Sequence, residues 1–257
     1  MRVAVDAART AGGVLLARWD RRGAGLSTKS SSTDVVLDAD RAAEAEVVRI
    51  LRGAYPDDAI VAEEGTGGGE RRSGRRWYVD PLDGTVNYLY GIPHFAVAIA
   101  CEDDTGPLAA VVYEPSGDEL FSAMRGEGAW LHSQRLQVSA ATELAGSLVA
   151  TGFAYAAEAR GEQARILAGV LPQVRDVRRF GSAQLDLAYV AAGRFDGYFE
   201  SVDKPWDWKA GALLVTEAGG RVSQLRQARP GQPHIVASAQ AIHDPLVLLL
   251  RRAVQGD

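Results

Sequence analysis

Four short apolar segments, separated by turn residues, follow one another in the middle of the chain and constrain its fold more than any other feature. They span Phe95–Cys101, Leu108–Tyr113, Leu120–Met124 and Gly128–Leu131. The connections between them are rich in Asp, Gly, Pro and Ser, which favour tight turns. Short strands joined in this way are typical of an antiparallel meander. The sequence therefore predicts an antiparallel sheet in this part of the chain.

Helices and further strands are predicted on both sides of this sheet. The predicted helices cover 3–20, 38–53, 156–171, 182–192, 206–217 and 243–254. Shorter apolar runs predict strands at 59–62, 77–79, 148–151, 198–200 and 235–237. We predict Asp38 or Asp40 as the N-cap of the second helix. Helices that alternate with groups of strands, without strict βαβ repetition, favour a layered α/β fold with much antiparallel sheet.

The size and composition of the chain are those of an ordinary globular protein. Its 257 residues are 47% hydrophobic and 24% charged, enough for one compact unit made of two closely packed halves, 1–145 and 146–257. A net charge of −5 gives no electrostatic reason to expect nucleic acid as a ligand. The single cysteine, Cys101, excludes an internal disulfide framework and is predicted to be buried.

The sequence also gives expectations for location and for one mobile segment. It shows neither a signal peptide nor a window of about 18 consecutive apolar residues, so we expect a cytoplasmic protein with no membrane partner. The polar stretch from Arg21 to Thr33 contains Lys29 and Ser30–Ser32 and is rich in small residues. It is predicted to form a mobile loop or a hairpin.

The stretch Asp80-Pro81-Leu82-Asp83-Gly84-Thr85 follows a predicted strand and leads into a predicted short helix. Pro81 favours extended geometry at Asp80 and is predicted to end the strand there. Asp83 and Gly84 then form a turn. Two carboxylates on a strand-to-helix turn, beside backbone N–H groups that can face an anion, suit a divalent metal with phosphate. An ordinary turn is the other interpretation of the same residues.

Other carboxylates also lie at the ends of predicted elements, namely Asp40, Glu63, Glu64 and Asp207. The four His residues are scattered and never paired at metal-binding spacing, which argues against a zinc site. Ligands that are all oxygen select a hard cation, and Mg²⁺ is the usual partner of phosphate substrates. Glycosidases also use paired carboxylates, but they need only two and leave the Gly-Thr turn unexplained. The motifs of serine hydrolases, P-loop enzymes and dinucleotide-binding proteins are absent from the sequence.

Four blocks of sequence, in order, resemble the inositol monophosphatase family. They are Glu63-Glu64-Gly65, Asp80 to Asn87, Gly181-Ser182-Ala183, and Trp206-Asp207 with Ala210-Gly211 and Glu217 to Gly220. The similarity covers most of the chain from about residue 28 to residue 222. The resemblance implies a layered αβαβα sandwich, the fold that this family shares with sugar bisphosphatases.

The resemblance also implies a site for two or three Mg²⁺ ions. Glu63, Asp80 and the main-chain carbonyl of Leu82 would hold the first ion. Asp80, Asp83 and Asp207 would hold the second, with Asp80 bridging the two. A third, weaker ion would lie near Glu63, bound largely through water. By this reading residues 1–145 carry most of the metal ligands, and residues 146–257 carry Asp207 and the substrate contacts.

Catalytic roles follow from the same resemblance. Glu63 and Thr85 would position and deprotonate the attacking water, and Asp40 would accept a hydrogen bond from Thr85. The backbone N–H groups of Gly84 and Thr85 would bind the phosphate, while Glu64 would shape the surrounding loop.

Contacts to the alcohol part of the substrate are implied at four positions, Asp83, Ser182, Ala183 and Glu200. Glu200 lies seven residues before Asp207, as the residue that accepts an inositol hydroxyl does in the family. This spacing favours a polyol phosphate. A surface acid on an edge strand is the alternative interpretation of Glu200.

The activity implied is Mg²⁺-dependent hydrolysis of a phosphate monoester, with myo-inositol 1-phosphate as the favoured substrate. Water activated by the metal would attack in line, without a phosphoenzyme. Inhibition by Li⁺ and a homodimer are expected by resemblance. The alternatives are histidinol phosphate, fructose 1,6-bisphosphate or adenosine 3′,5′-bisphosphate as substrate, or a regulatory partner of RNA or transcription machinery. The intact set of acids favours catalysis over the regulatory role.

Two residues depart from the pattern of many relatives. Leu37 stands where many have Thr, and we predict altered packing beside Asp40. Lys209 stands where many have Ala, and we predict that it places a cation near the rim of the site. Neither residue replaces a predicted ligand.

Overall fold

The structure, a computed structural model, describes residues 1–29, 34–227 and 229–256. The helices in these ranges are α1 (Arg2–Ala17), α2 (Asp38–Ala54), α3 (Thr85–Tyr90), α4 (Ala157–Val170), α5 (Ala183–Ala191), α6 (Lys209–Glu217) and α7 (His243–Gln255). The first strands are β1 (Ser27–Thr28), β2 (Val35–Val36), β3 (Ala59–Ala62), β4 (Arg76–Asp83), β5 (Ala96–Asp103), β6 (Gly106–Glu114), β7 (Glu119–Met124), β8 (Gly128–Leu131) and β9 (Gln134–Arg135). The later strands are β10 (Leu148–Thr151), β11 (Asp176–Arg178), β12 (Gly197–Glu200), β13 (Arg221–Gln224) and β14 (Ile235–Ser238).

These elements form five alternating layers. A seven-stranded sheet has the order β3-β4-β5-β6-β7-β8-β9, and a five-stranded sheet has the order β11-β10-β12-β14-β13. Helices α1 and α2 cover the outer face of the larger sheet, α5 and α6 lie between the two sheets, and α4 and α7 cover the outer face of the smaller sheet. The predicted αβαβα sandwich is therefore confirmed, and so is the antiparallel meander of β5 to β8.

The two faces of β5 show why the larger sheet has a helical layer on each side. Val97, Ile99 and Cys101 pack in one apolar cluster with α1 and α2. Ala96 and Ala98, which point to the opposite face, pack in another cluster with α5 and α6. Because both faces are covered, the strand is apolar from Ala96 to Cys101 instead of alternating. Cys101 is a buried free thiol, as predicted.

The strand before the acidic turn is longer than predicted. β4 continues through Pro81 to Asp83 and does not end at Asp80. Asp80 pairs with Ala98, but the register then shifts, so that Asp83 pairs with Ala96. Proline has no N–H group for a regular ladder, and it is tolerated at such an irregularity. The prediction that Pro81 stops the strand was therefore wrong.

The start of α2 also differs from the prediction. The N-cap is Leu37, whereas Asp38 is the first helical residue. Asp40, at the third helical position, reaches back and accepts a hydrogen bond from the Leu37 N–H at 3.0 Å. An acid at the third helical position can accept a hydrogen bond from the N–H group of the N-cap residue. An N-cap side chain does the same for the N–H groups of the first helical turn. Neither Asp38 nor Asp40 is the N-cap.

Several short strands were not predicted, and they lie mostly at sheet edges. β1 and β2 pair with each other, β9 and β11 are edge strands, and β13 is the other edge of the smaller sheet. These strands have only two to four residues, and apart from the two valines of β2 none is fully apolar. The hairpin alternative for 21–33 agrees with the pairing of β1 and β2, while Ser30 to Thr33 lie outside the described residues.

None of the helices in the described ranges combines the length and the apolar character needed to cross a lipid bilayer.

Candidate active site

A cavity of about 430 Å³ lies where β4, the N-terminus of α5, the end of β12 and the turn before α6 meet. Nine of the residues predicted for the site line it: Glu63, Asp80, Leu82, Asp83, Gly84, Thr85, Ala183, Glu200 and Asp207. The other two named positions lie directly behind this wall. Asp40 contacts Thr85, and Ser182 contacts Asp83. The structure therefore brings all the sequence-predicted site residues to one place.

The turn from Asp80 to Thr85 is held by its own side chains. Leu82 N–H donates to Asp80 Oδ1 at 3.0 Å, so one carboxylate oxygen folds the turn. Gly84 has a φ of +97°, and a Cβ there would lie 3.0 Å from the His94 carbonyl oxygen. Glycine is thus required at this position by both backbone geometry and space.

Thr85 lies in a polar contact chain with Asp40. Its Oγ1 is 3.0 Å from the Leu82 carbonyl oxygen and 3.3 Å from Asp40 Oδ1. A hydroxyl has one proton to donate, so it can serve one of these acceptors while its lone pairs remain available. Burial, followed by the charge of Glu64, raises the pKa of Asp40 to about 7.

Asp83 joins the acidic turn to α5. Its Oδ2 accepts hydrogen bonds from Ser182 Oγ at 2.7 Å and from Gln184 N–H at 2.6 Å. Ser182 is the N-cap of this helix and also accepts from Leu185 N–H. The carboxylate therefore lies at the positive end of the helix, where negative charge is favoured.

The acids of the cavity raise one another's pKa values. Burial and the charges of Glu63, Asp83 and Asp207 raise the pKa of Asp80 well above its usual range. Burial and the charge of Glu63 do the same for Asp207. For Asp83, burial raises the pKa to about 6 although hydrogen bonds from Ser182 and Gln184 oppose the rise. Burial and repulsion between like charges both favour the protonated form of a carboxyl group.

Lys29 supplies a cation at one edge of this cluster. Its ammonium forms an ion pair with Glu63 Oε1 at 2.9 Å and a second ion pair with Glu64. Burial opposes the charged form of Lys29, but the charge of Glu63 and hydrogen bonds to both acids raise its pKa above the ordinary value. No three or more of the Asp, Glu, His or Cys side chains in the described ranges are arranged to hold a metal ion.

Glu44 of α2 supports the Glu63–Glu64 loop and was not predicted. Its fully buried carboxylate accepts hydrogen bonds from Glu64 N–H at 2.6 Å, Thr66 N–H at 2.8 Å and Thr66 Oγ1 at 2.8 Å. Asp40 and Glu44 are four residues apart, and both lie on the buried face of α2. Acids on the apolar face of an amphipathic helix were the available sequence indication.

Glu200 lines the cavity at the end of β12. Its Oε2 accepts a hydrogen bond from the Tyr198 hydroxyl at 2.9 Å, and burial raises its pKa to about 7. Because Glu200 lines the cavity, the alternative of an acid on the outer surface does not hold. Arg179 and Lys204 line the same cavity and were not predicted.

Lys209 does not lie where the sequence suggested. Its ammonium forms an ion pair with Glu102 on β5 and lies 4.4 Å from the centroid of the Tyr78 ring. Lys209 is absent from the described lining of the cavity, which has Lys204 instead. The first helical turn of α6 directs Lys209 toward the larger sheet, so the prediction of a rim cation at this residue was wrong. Leu37 is fully buried beside Asp40.

Comparison with known proteins agrees with this fold and this collection of residues. The model of the inositol monophosphatase family matches residues 1–255. The chain belongs to the inositol monophosphatase family. Members of this family are generally Mg²⁺-dependent and of the phosphatase type. The resemblance found in the sequence is thereby confirmed.

Relatives of this family member carry two kinds of name. The protein named Nus factor SuhB of Haemophilus influenzae is 45% identical over 224 residues, which are 86% of this chain and 84% of that one. The structure of extragenic suppressor protein suhB from Bartonella henselae is 40% identical with a TM-score of 0.89, covering 99% of this chain and 98% of that one. The inositol monophosphatase from Anabaena (Nostoc) sp. PCC 7120 is 37% identical with a TM-score of 0.84, covering 98% and 95%.

The acids of the cavity fit the metal on which the family depends. Glu63, Asp80, Asp83 and Asp207 offer only oxygen donors, as Mg²⁺ prefers. The raised pKa values of Asp80, Asp83 and Asp207 come first from burial and then from the charges of neighbouring acids, which a bound divalent cation would offset. Glu63 would have to exchange Lys29 for the ion. The donor chemistry therefore fits Mg²⁺.

Proposed function

We propose that the protein is a Mg²⁺-dependent phosphomonoesterase that acts on a polyol phosphate, with myo-inositol 1-phosphate as the favoured substrate. One observation carries the proposal. Carboxylates from three separate stretches of chain, Glu63, Asp80 with Asp83, and Asp207, line one cavity beside a tight strand-to-helix turn. When bound there, Mg²⁺ would supply the positive charge that activates water and stabilises the leaving oxygen.

The proposed ligands divide into two sets. Glu63, Asp80 and the Leu82 carbonyl would hold the first ion, and Asp80, Asp83 and Asp207 would hold the second. Asp83 Oδ2 is already bonded to α5, which leaves Oδ1 for this role. A third ion near Glu63 and inhibition by Li⁺ stay predictions of the resemblance.

The remaining residues of the turn would bind and orient the reactants. Glu63 and Thr85 would position the attacking water and take its proton, with Thr85 held in place by Asp40 and by the Leu82 carbonyl. The N–H groups of Gly84 and Thr85 would hold the phosphate oxygens at the start of α3. Attack on phosphorus opposite the leaving alcohol would break the ester bond without a covalent enzyme intermediate.

Recognition of the alcohol would fall to the other wall of the cavity. Glu200 would accept a hydrogen bond from a hydroxyl of the polyol, since its other contact is the hydroxyl of Tyr198. Ser182 and Ala183 would shape the same wall at the start of α5. A site that pairs polar groups with substrate hydroxyls discriminates strongly against alcohols that lack them.

A panel of phosphate esters, assayed with and without Mg²⁺, tests the proposal. We expect Mg²⁺-dependent release of phosphate. Hydrolysis should be fastest with myo-inositol 1-phosphate and slower with histidinol phosphate, fructose 1,6-bisphosphate and adenosine 3′,5′-bisphosphate. Asp83→Asn should lose several decades in kcat with its fold intact, because it removes a metal ligand. A kcat near that of the wild type would contradict the proposed ligands. Hydrolysis of histidinol phosphate a hundredfold faster than inositol 1-phosphate would overturn the substrate.

A bisphosphate is the second candidate substrate, and two cations favour it. Arg179 and Lys204 line the cavity, and among the described residues neither forms an ion pair within 4.0 Å. Arg179 Cζ lies 5.8 Å from the centroid of the Phe153 ring, which lines the same cavity. A second phosphate on the alcohol could bind between these side chains. Faster turnover of a bisphosphate than of inositol 1-phosphate, lost in Arg179→Ala, would support this candidate.

A regulatory role is the third candidate, because relatives bear the name Nus factor SuhB. Such a role would involve a partner in transcription. This role is one of the alternatives left open by the sequence, although the expectation of no nucleic-acid partner agrees with it only in part. The name is evidence about those proteins, and the acids of the cavity favour catalysis here. Asp83→Asn separates the two roles. Full cellular function of this variant, despite lost hydrolysis, would favour regulation.

A homodimer and a cytoplasmic location complete the proposal. Tyr90, Ile92 and Phe180 are large apolar residues with 74%, 48% and 40% of their surface exposed. Burial of these side chains against a second copy would remove apolar surface from water. Light scattering coupled to size exclusion should give twice the 27.4 kDa mass of the chain.

A further inference from the structure

The side chain of Gln184 links two elements that carry proposed metal ligands. Gln184 is fully buried at the second position of α5. Its Nε2 donates to the Trp206 carbonyl oxygen at 2.5 Å, and its Oε1 accepts from Gly211 N–H at 2.7 Å. Its own N–H donates to Asp83 Oδ2. One residue thus contacts the Asp83 carboxylate and both sides of the segment that contains Asp207.

The contacts on the α6 side have a specific structural effect. The N-cap of α6, Trp208, makes no side-chain capping bond. Gln184 Oε1 therefore satisfies one of the first N–H groups of α6, which a helix cannot pair internally. The donor contact to Trp206 fixes the chain just before Asp207. The side-chain amide of Gln184 therefore holds the Asp207 turn on both sides, at Trp206 and at Gly211.

Close packing of α5 against α6 leaves little room for another arrangement. A Cβ at Gly211 would lie 2.4 Å from Leu187 Cβ and 3.1 Å from Gln184 Oε1. Ser182 also bonds Asp83, but its described hydrogen bonds do not extend to α6. The amide of Gln184 is the polar connection that extends from the Asp83 contact to the Asp207 segment.

We infer that Gln184 is a positioning residue that sets the separation of Asp83 and Asp207 for metal binding. This inference rests on the proposed function, in which the two acids share an ion with Asp80. Residues that orient metal ligands act on affinity without contacting the ion. Without the amide, ion binding must also order the Asp207 turn, while the chemistry of the loaded site stays the same.

Gln184→Met tests the inference, because methionine has a similar length and no strong hydrogen-bonding groups. The backbone contact to Asp83 would remain. We expect the Mg²⁺ concentration for half-maximal hydrolysis to rise about tenfold. The kcat at saturating Mg²⁺ should stay within about twofold of the wild type. The rise in melting temperature at a fixed, subsaturating Mg²⁺ concentration should be smaller than for the wild type.

Gln163→Met is the matched control. Gln163 is a buried glutamine of α4 whose Oε1 accepts from Ala154 N–H at 2.9 Å. The same substitution there also removes a buried amide and lowers stability. It should leave the Mg²⁺ dependence at the wild-type value, since Gln163 makes no described hydrogen bond to a proposed ligand.

The possible results separate this inference from the proposed function. Equal Mg²⁺ dependence of Gln184→Met and the wild type, with a loss of stability like that of Gln163→Met, would make Gln184 purely structural. Loss of kcat at saturating Mg²⁺ with unchanged affinity would also overturn the inference. Should the wild type bind Mg²⁺ without hydrolysing any ester, the proposed function fails, and the thermal shifts still decide the role of Gln184.

Discussion

Glu200 occupies its position in the cavity because Gly152 has no side chain. A Cβ at Gly152 would lie 2.1 Å from the Glu200 carboxylate, far inside any allowed contact. No unusual backbone angle is involved, so the requirement for glycine comes from space alone. The identity of residue 152 therefore controls where the carboxylate of Glu200 can lie.

Gly152→Ala should consequently act like a substitution of Glu200 itself. We expect both Gly152→Ala and Glu200→Ala to lower kcat/KM for inositol 1-phosphate by about ten- to a hundredfold, because a hydroxyl contact is lost. Hydrolysis of an aryl phosphate without hydroxyl groups should change little. Steady-state kinetics on the two esters measure this. An equal loss on both esters would mean that Glu200 serves the structure and not recognition.

The free energy of unfolding should depend on pH through the side chain of His94. It packs against the rings of Phe180 and Tyr189, and its Nε2 is buried without a hydrogen-bond partner in the described chain. Burial lowers the pKa of His94 from 6.5 to about 4. The unfolded chain therefore binds a proton first, and stability is lost as the pH falls from about 6.5 toward 4.

His94→Phe should remove this dependence while keeping an aromatic ring. Between pH 7 and pH 5 we expect the wild type to lose about 1 kcal/mol of unfolding free energy more than the variant, after allowance for partial exposure. Urea unfolding at the two pH values, with saturating Mg²⁺ in every sample, measures the difference. Parallel losses in the two proteins would mean that His94 titrates normally.

At the scale of an element, α2 combines core packing with support of the site. Its apolar face packs on the larger sheet, and the same face carries Asp40 and Glu44. Asp40 contacts Thr85, while Glu44 fixes the loop that follows Glu63. A change in the position of this helix would therefore move both ends of the proposed catalytic apparatus.

Glu44→Gln should destabilise this arrangement out of proportion to its small change in shape. An amide nitrogen would face one of the loop N–H groups, so a buried donor would lose its partner. We expect a loss of about 2 kcal/mol in unfolding free energy and a higher Mg²⁺ requirement. Glu46→Gln is the control, since Glu46 pairs with Arg49 on the surface of the same helix. It should change stability by less than about 0.5 kcal/mol.

The sequence predicted well those elements whose position is determined by residues close together in the chain. Helix ends, apolar runs and turn residues located the long elements, and the order of acidic blocks located the metal-site candidates. Glu44 and Gln184 escaped prediction because their partners are distant in the chain. Lys209 was placed wrongly because its position two residues after Asp207 does not determine the direction in which its flexible side chain points. Pro81 was misjudged because a register shift, invisible in sequence, accommodates it.

At the scale of the whole molecule, the ionised acids of the cavity destabilise the folded protein, and a bound cation would reduce this destabilisation. Asp83 has a pKa of about 6, and Asp40 and Glu200 have pKa values of about 7, all raised first by burial. The folded, metal-free protein thus holds protons that the unfolded chain releases at lower pH. The contribution of these three groups to the free energy of unfolding is fully present below about pH 4. It is lost as the pH rises through about 7.

Mg²⁺ should therefore stabilise the protein more at pH 8 than at pH 5.5. At a concentration a hundred times the dissociation constant we expect about 2.7 kcal/mol at pH 8, and less at pH 5.5, where protons compete for the ligands. Chemical unfolding with Mg²⁺ or with a chelator measures both values. An Asp83→Asn sample should show a reduced gain. Equal gains at the two pH values would argue against carboxylate ligands of raised pKa.

The layer of α5 and α6 between the sheets has a consequence for biosynthesis. The larger sheet is complete once Arg135 has emerged from the ribosome, but the helices that cover its alanine-lined face end only at Glu217. About 80 further residues must be made, which takes roughly 4–16 s at ~5–20 residues per second. During that interval a finished sheet exposes an apolar face to solvent. The nascent chain is thus most prone to aggregate just before its central helices are synthesised.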